Sequence, residues 1–222
     1  MMPYVILSAA MTLDGKIATK TGSSNISGKK DLLRVHELRK ECDAIMVGIG
    51  TVIADDPRLT VHKVDAKPDD NPVRVVVDSK FRTPADARIT NSDAETIIAC
   101  AREYKDELIA SDKYETFKKR GVKFFYSGSK RVDLKSLMSY LHEEGIDKLM
   151  LEGGSTLNFS MIKAGLIDEI RICVAPMIVG GCDSKTFFDG EGFDLMGEAV
   201  KLELTDSYQL DKDLILTYKV LK

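Results

Sequence analysis

The chain has 222 residues, with 32 Lys plus Arg against 35 Asp plus Glu, a formal charge of −3. That length suits one large domain or two small ones and can bury a core without disulfide staples. Hydrophobic residues make up 44% and charged residues 30%, which excludes disorder as the main theme, and the near-neutral charge argues against bulk nucleic-acid binding.

In chain order, Tyr4 to Ala10 is an apolar run of strand length, as expected for a strand buried on both faces. Ser27 to Cys42 reads as a helix with Ser27 as N-cap and Leu32, Val35, Leu38 and Cys42 on its apolar face. Strands are expected at 44–47, 73–77, 96–100 and 122–126. Between the last two, 103–120 reads as an exposed helix. Asp133 to Glu144 is amphipathic through Leu134, Leu137, Met138 and Leu141. A strand at 148–151, a helix reaching about Ala164 and a strand at 167–175 follow. The tail, 201–207 and 213–219, reads as an antiparallel hairpin. Strands alternating with helices predict an α/β fold with a mostly parallel sheet covered by helices on both faces. With no repeat or linker, residues 1–222 are expected to form one domain.

Cys42, Cys100, Cys173 and Cys182 are far apart and form no C-x-x-C, so free buried thiols in a reducing compartment are expected, although Cys173 and Cys182 could pair. His36, His62 and His142 show no metal-ligand spacing, and no metal site is expected. The apolar stretch at 4–11 lacks a basic leader, and the longest apolar stretch, 44–54, is too short to span a bilayer. A cytoplasmic protein without membrane contact is expected.

In an open α/β sheet, ligands bind at the carboxyl ends of the strands. The first strand ends in Asp14-Gly15-Lys16, either a plain tight turn or one that sets a cation at the sheet edge. The second ends in Gly48-Ile49-Gly50-Thr51, with Ile53 where a third glycine would complete a Rossmann fingerprint. Thr51 and Asp55 lie on one face if a short helix follows; alternatively Thr51 caps that helix and Asp55-Asp56 ends it. The third ends in Asp78-Ser79-Lys80-Phe81-Arg82, whose cations could meet a 2′-phosphate. The sixth ends in Glu152-Gly153-Gly154-Ser155-Thr156, an acid beside a capped helix start able to hold an anion. Gly180-Gly181 marks a further turn near the same edge.

Four segments in order, 10–18, 43–61, 151–158 and 175–181, together resemble the riboflavin-biosynthesis reductase family, related in fold to dihydrofolate reductase. The chain lacks P-C-x-x-C, a mark of the zinc deaminase carried by bifunctional members. It is therefore similar to the stand-alone archaeal and fungal type.

The resemblance implies reduction of 2,5-diamino-6-(ribosylamino)-4(3H)-pyrimidinone 5′-phosphate to the ribitylamino product, with NADPH as hydride donor, in a homodimer. Rival expectations are the deaminated substrate, a dihydrofolate reductase proper, or a non-catalytic nucleotide-binding module. By the same resemblance Lys16 and Glu152 fall near the reacting carbon. Thr51, Asp55, Ser79, Val132 and Gly153-Gly154-Ser155-Thr156 match cofactor positions, with Lys80 and Arg82 beside Ser79. Asp14, Arg39, Leu59 and His62 fall on the substrate side. At the last of these, bacterial members often carry Arg, a stronger phosphate ligand than a neutral imidazole.

Overall fold

The computed structural model describes residues 1–222. The chain forms two compact units, one of residues 1–3 and 36–150, the other of residues 4–35 and 151–222. The boundary falls inside the first helix, α1 (Lys29–Lys40).

The first unit carries strands β2 (Ala44–Gly48), β3 (Val73–Val77), β4 (Thr96–Ala101) and β5 (Lys123–Ser127), paired in parallel in the order β5-β4-β3-β2. Strand β6 (Lys148–Leu151) follows β2 in that order. Ala44, Ile45, Met46 and Val47 are wholly buried, and so is nearly all of β4, as a strand covered on both faces requires. Helices α2 (Ile49–Asp55), α3 (Lys105–Ile109), α4 (Asp112–Lys119) and α5 (Leu134–Glu143) complete the unit. Its core gathers Val47, Val76, Ile98, Phe81, Leu108 and Phe117.

In the second unit, β1 (Tyr4–Thr12) runs parallel to β7 (Glu169–Ala175), with helix α6 (Ser155–Lys163) between them in sequence. Strand β9 (Asp213–Leu221) is antiparallel to β7 and to β8 (Lys201–Leu210). The α/β class, the mostly parallel pairing and the terminal hairpin are as expected. Strand β8 ends the sheet order, and all but its last residue is exposed. A register shift between Leu204 and Asp206 interrupts its ladder, a device that blunts a free edge.

Several local expectations need correction. The segment 103–120 is not one helix. It breaks at Ala110-Ser111, where the Ser111 hydroxyl accepts from Tyr114 N and starts α4 afresh. Ser27 does not cap α1; Asp213 Oδ2 accepts from Gly28 N at 3.0 Å just before that helix. Leu38 and Cys42 are buried as expected, but Leu32 is exposed, and α1 buries Asp31 and His36 beside them. Cys182 is exposed rather than buried, and all four cysteines are free. No helix is long and apolar enough to cross a membrane.

Phe117 is fully buried and packs edge-on to Phe81 at 5.7 Å. Phe117→Ala should cost about 3–5 kcal/mol, read as a lower urea midpoint with an unchanged slope.

Candidate active site

The turn after β1 is built around Thr12. Its hydroxyl donates to Asp14 Oδ1 at 2.6 Å and accepts from Lys16 N at 3.0 Å. The Asp14 carboxylate also accepts from Gly180 N at 2.7 Å and Val179 N at 3.2 Å. The Thr12 hydroxyl first, then the Gly180 amide, hold the Asp14 carboxyl down at about 2. Asp14 thus ties its own turn to the Gly180-Gly181 turn.

Lys16 is held on a second side. Its backbone bridges Thr186, Ile17 N donates to Lys185 O, and Lys16 Nζ donates to Ser184 O at 3.1 Å. Two further ammonium protons stay available to a ligand. The segment 184–187 that clamps Lys16 carries no motif and was missed in the sequence.

Glu152 follows β6 and is half-buried. Gly153 adopts φ 97, beyond the ordinary reach of other residues, with Asn158 at ordinary contact distance from where a Cβ would stand. The α6 N-cap is Gly154, with no side-chain cap, so the capped start expected from the sequence is absent. Gly154 brings no side chain of its own to the first-turn amides of α6, which suits an anion. Ser155 is buried and bonds to Asp189, while Thr156 is exposed.

In the first unit, Thr51 lies inside α2 and is half-buried, whereas Asp55 is exposed at its end. Thr51 does not cap this helix; Gly48 does, and Asp56, in the left-handed region, ends it. Ser79 and Val132 are brought together, with Val132 N donating to Ser79 Oγ at 3.1 Å. Lys80 and Arg82 are exposed on either side of buried Phe81. The loops after β3, β4 and β5 meet here, since Ala101 N donates to Ser79 O and Arg102 N to Gly128 O. They add exposed Arg102, Lys130 and Arg131 to the cations of this edge, a set not singled out in the sequence.

Leu59, Arg39 and His62 also share one neighbourhood. Leu59 is buried at φ 52, a strained conformation for a bulky residue and one that clusters at functional sites. Arg39 Nη1 donates to Thr60 O at 3.2 Å. His62 N donates to Nδ1 of buried His36 at 3.2 Å, and the two rings meet edge-on at 4.4 Å. His36 thus anchors the backbone that presents exposed His62. This role depends on residues 26 positions apart, which no local pattern reveals. No cluster of metal-ligating side chains exists in either unit.

Accepting from His62 N requires an unprotonated Nδ1 on His36. Burial first, then the charge of Arg39, depress His36 from 6.5 to about 4. The unfolded chain therefore takes up this proton first as pH falls. Stability should be full above about pH 6.5 and decline toward pH 4, by about 1–2 kcal/mol at pH 5. His62, also lowered by burial, acts in the same sense. Urea denaturation across this range should show the decline, and His36→Gln should flatten much of it.

Residues 3–216 match the RibD C-terminal domain family. The chain is 60% identical over 220 residues to the 2,5-diamino-6-ribosylamino-4(3H)-pyrimidinone 5′-phosphate reductase of Methanothermobacter thermautotrophicus, covering 99% of each chain. It matches the structure of Acinetobacter baumannii RibD at a TM-score of 0.83 and 30% identity, over 99% of this chain and 58% of that one. A dihydrofolate reductase from Enterococcus faecalis complexed with NADP(H) shares the fold at a TM-score of 0.54 and 14% identity, over 99% of this chain and 97% of that one.

Proposed function

The chain belongs to the RibD C-terminal domain family, and from that premise we propose that it reduces 2,5-diamino-6-(ribosylamino)-4(3H)-pyrimidinone 5′-phosphate to its ribitylamino product, acting over residues 1–222 as one reductase domain. The observation that carries this reading is the end-to-end agreement with the archaeal reductase. Neither Lys16 nor Glu152 is missing, as a non-catalytic relative would allow.

The reaction sets the roles. The ribosylamine ring opens when the C1′–O4′ bond breaks, O4′ gains a proton and nitrogen loses one, leaving an electrophilic C1′=N bond. Hydride then adds to C1′ and a proton to nitrogen. Lys16, with its backbone clamped and its ammonium anchored on Ser184 O, is suited to hold a proton near O4′. Glu152 is suited to move the proton to and from nitrogen. Arg39, Leu59 and His62 in the first unit, and in the second Asp14, which shapes the turn at Lys16, are the residues we assign to the substrate.

The chain's donors fit a nicotinamide dinucleotide with a 2′-phosphate. Lys80, Arg82 and Ser79 would take that phosphate, and Thr51, Asp55 and Val132 would flank the nucleotide. The amides at Gly153-Gly154-Ser155-Thr156 would take the bridging phosphates. When bound, NADPH supplies the hydride. We also infer a homodimer, to which exposed β8, with Leu202, Leu204 and Tyr208 open, would contribute surface. The small-molecule substrate and the reducing compartment expected of the four free thiols fit a cytoplasmic enzyme.

Purified protein should oxidise NADPH with the diamino ribosylaminopyrimidinone phosphate, tested beside the deaminated compound and dihydrofolate. Turnover of the deaminated compound alone would move the enzyme to the other pathway order. Turnover of dihydrofolate alone, or of none, would overturn the reading. Glu152→Gln and Lys16→Ala should each lower the single-turnover rate by about 10²-fold or more; full activity in either removes that residue's proton-handling role. Arg82→Ala should raise KM for NADPH about fivefold to tenfold, a loss of roughly 1 kcal/mol, and leave KM for NADH alone.

A further inference from the structure

Beside the loop that carries Lys80 and Arg82, the protein brings together two groups of opposite charge, Asp78 fully buried and Lys113 half-buried. Asp78, at the carboxyl end of β3, has no exposed surface. Its Oδ2 accepts from Thr83 N at 2.7 Å and from the Thr83 hydroxyl at 2.8 Å. Its Oδ1 is buried without a hydrogen-bond partner. Lys113 reaches the same loop from α4. Its Nζ donates to Phe81 O at 2.7 Å and to Thr83 O at 3.1 Å, and stands 4.0 Å from the Phe81 ring centroid. Phe81 sits at φ 51, buried edge-on against Phe117 and Phe124.

Stability alone does not call for this arrangement. The buried Asp78 carboxyl loses its hydration, and the half-buried Lys113 ammonium part of its own, a cost that apolar side chains of similar volume do not carry. Burial lowers the Lys113 ammonium from its ordinary range, with Asp78 opposing that shift. The arrangement does give the loop a single posture. The carboxylate grips its far end through Thr83, and the ammonium gathers two of its carbonyls. With Phe81 turned into the core, Lys80 and Arg82 on either side of it face solvent.

We propose that Asp78 and Lys113 are positioning residues that hold the 79–83 loop so that Lys80 and Arg82 meet a 2′-phosphate together, and thereby set the preference for the phosphorylated over the unphosphorylated nicotinamide dinucleotide. This rests on the reading of Lys80 and Arg82 as the 2′-phosphate ligands. A brace that served only the fold would weaken both dinucleotides alike.

The test is the Kd of the full chain for NADP⁺ and for NAD⁺, measured by titration calorimetry without substrate. Lys113→Met and Asp78→Asn should each raise the Kd for NADP⁺ about tenfold and change that for NAD⁺ less than twofold. Lys113→Arg, which keeps the cation and its donors, should stay within threefold of the original. Equal weakening of both dinucleotides, or no change in a folded variant, would overturn the proposal. If Lys113→Met does not fold, Thr83→Val removes only the hydroxyl bond to Asp78 and should cost about threefold on NADP⁺ alone; no loss there also overturns it. Arg82→Ala separates the two levels. If it weakens NADP⁺ while Lys113→Met does not, the brace alone fails. If the unaltered chain binds both dinucleotides equally, the phosphate reading fails and the brace with it.

Discussion

Where a parallel strand ends, its last backbone groups lose their ladder partners, and the loop that follows must satisfy them close to a buried core. In this protein short polar side chains do that. Thr12 and Asp14 close the turn after β1 and reach the Gly180-Gly181 turn. Asp78 closes the loop after β3, and Ser79 takes the Val132 amide from the loop after β5. His36 takes the amide of His62. Each is small or rigid enough to lose little entropy on fixing a loop.

This division of labour leaves the long charged side chains outward. Lys80, Arg82 and His62 are exposed on backbone that other residues have fixed, while Lys16 is half-buried with its ammonium on Ser184 O. The exposed cations lie on loops tied to one another through backbone bonds at Ser79, Ala101 and Gly128. The strained left-handed residues Leu59 and Phe81 are both buried. Burial is what offsets that strain, and on either side of Phe81 the side chains of Lys80 and Arg82 are exposed.

The helix breaks follow the same competition between local and tertiary demands. Ser111 splits what composition suggested was one helix, because its hydroxyl offers Tyr114 N a partner and lets α4 start in a new direction that buries Phe117. In α1 the apolar spacing pointed to Leu32. The buried face instead carries Asp31 and His36, with Arg34 paired to Asp31 at 2.8 Å. Paired polar residues can occupy an interior that periodicity reserves for apolar ones.

Residue order by itself determined the strands, since unbroken runs such as Ala44-Ile45-Met46-Val47 have few ways to avoid water other than a strand covered on both faces. It also determined the glycine turns and the chemistry-bearing residues at strand ends, because those are local and a fixed number of positions apart. What it could not determine was which side chains hold those ends in place. His36 and His62, Lys113 and Phe81, Lys16 and Ser184 are 26, 32 and 168 positions apart. Contacts of that kind exist only once each unit has folded and brought distant segments of its own chain together. A lysine on an exposed-looking helix gives no local sign that its ammonium will bond the carbonyls of another loop.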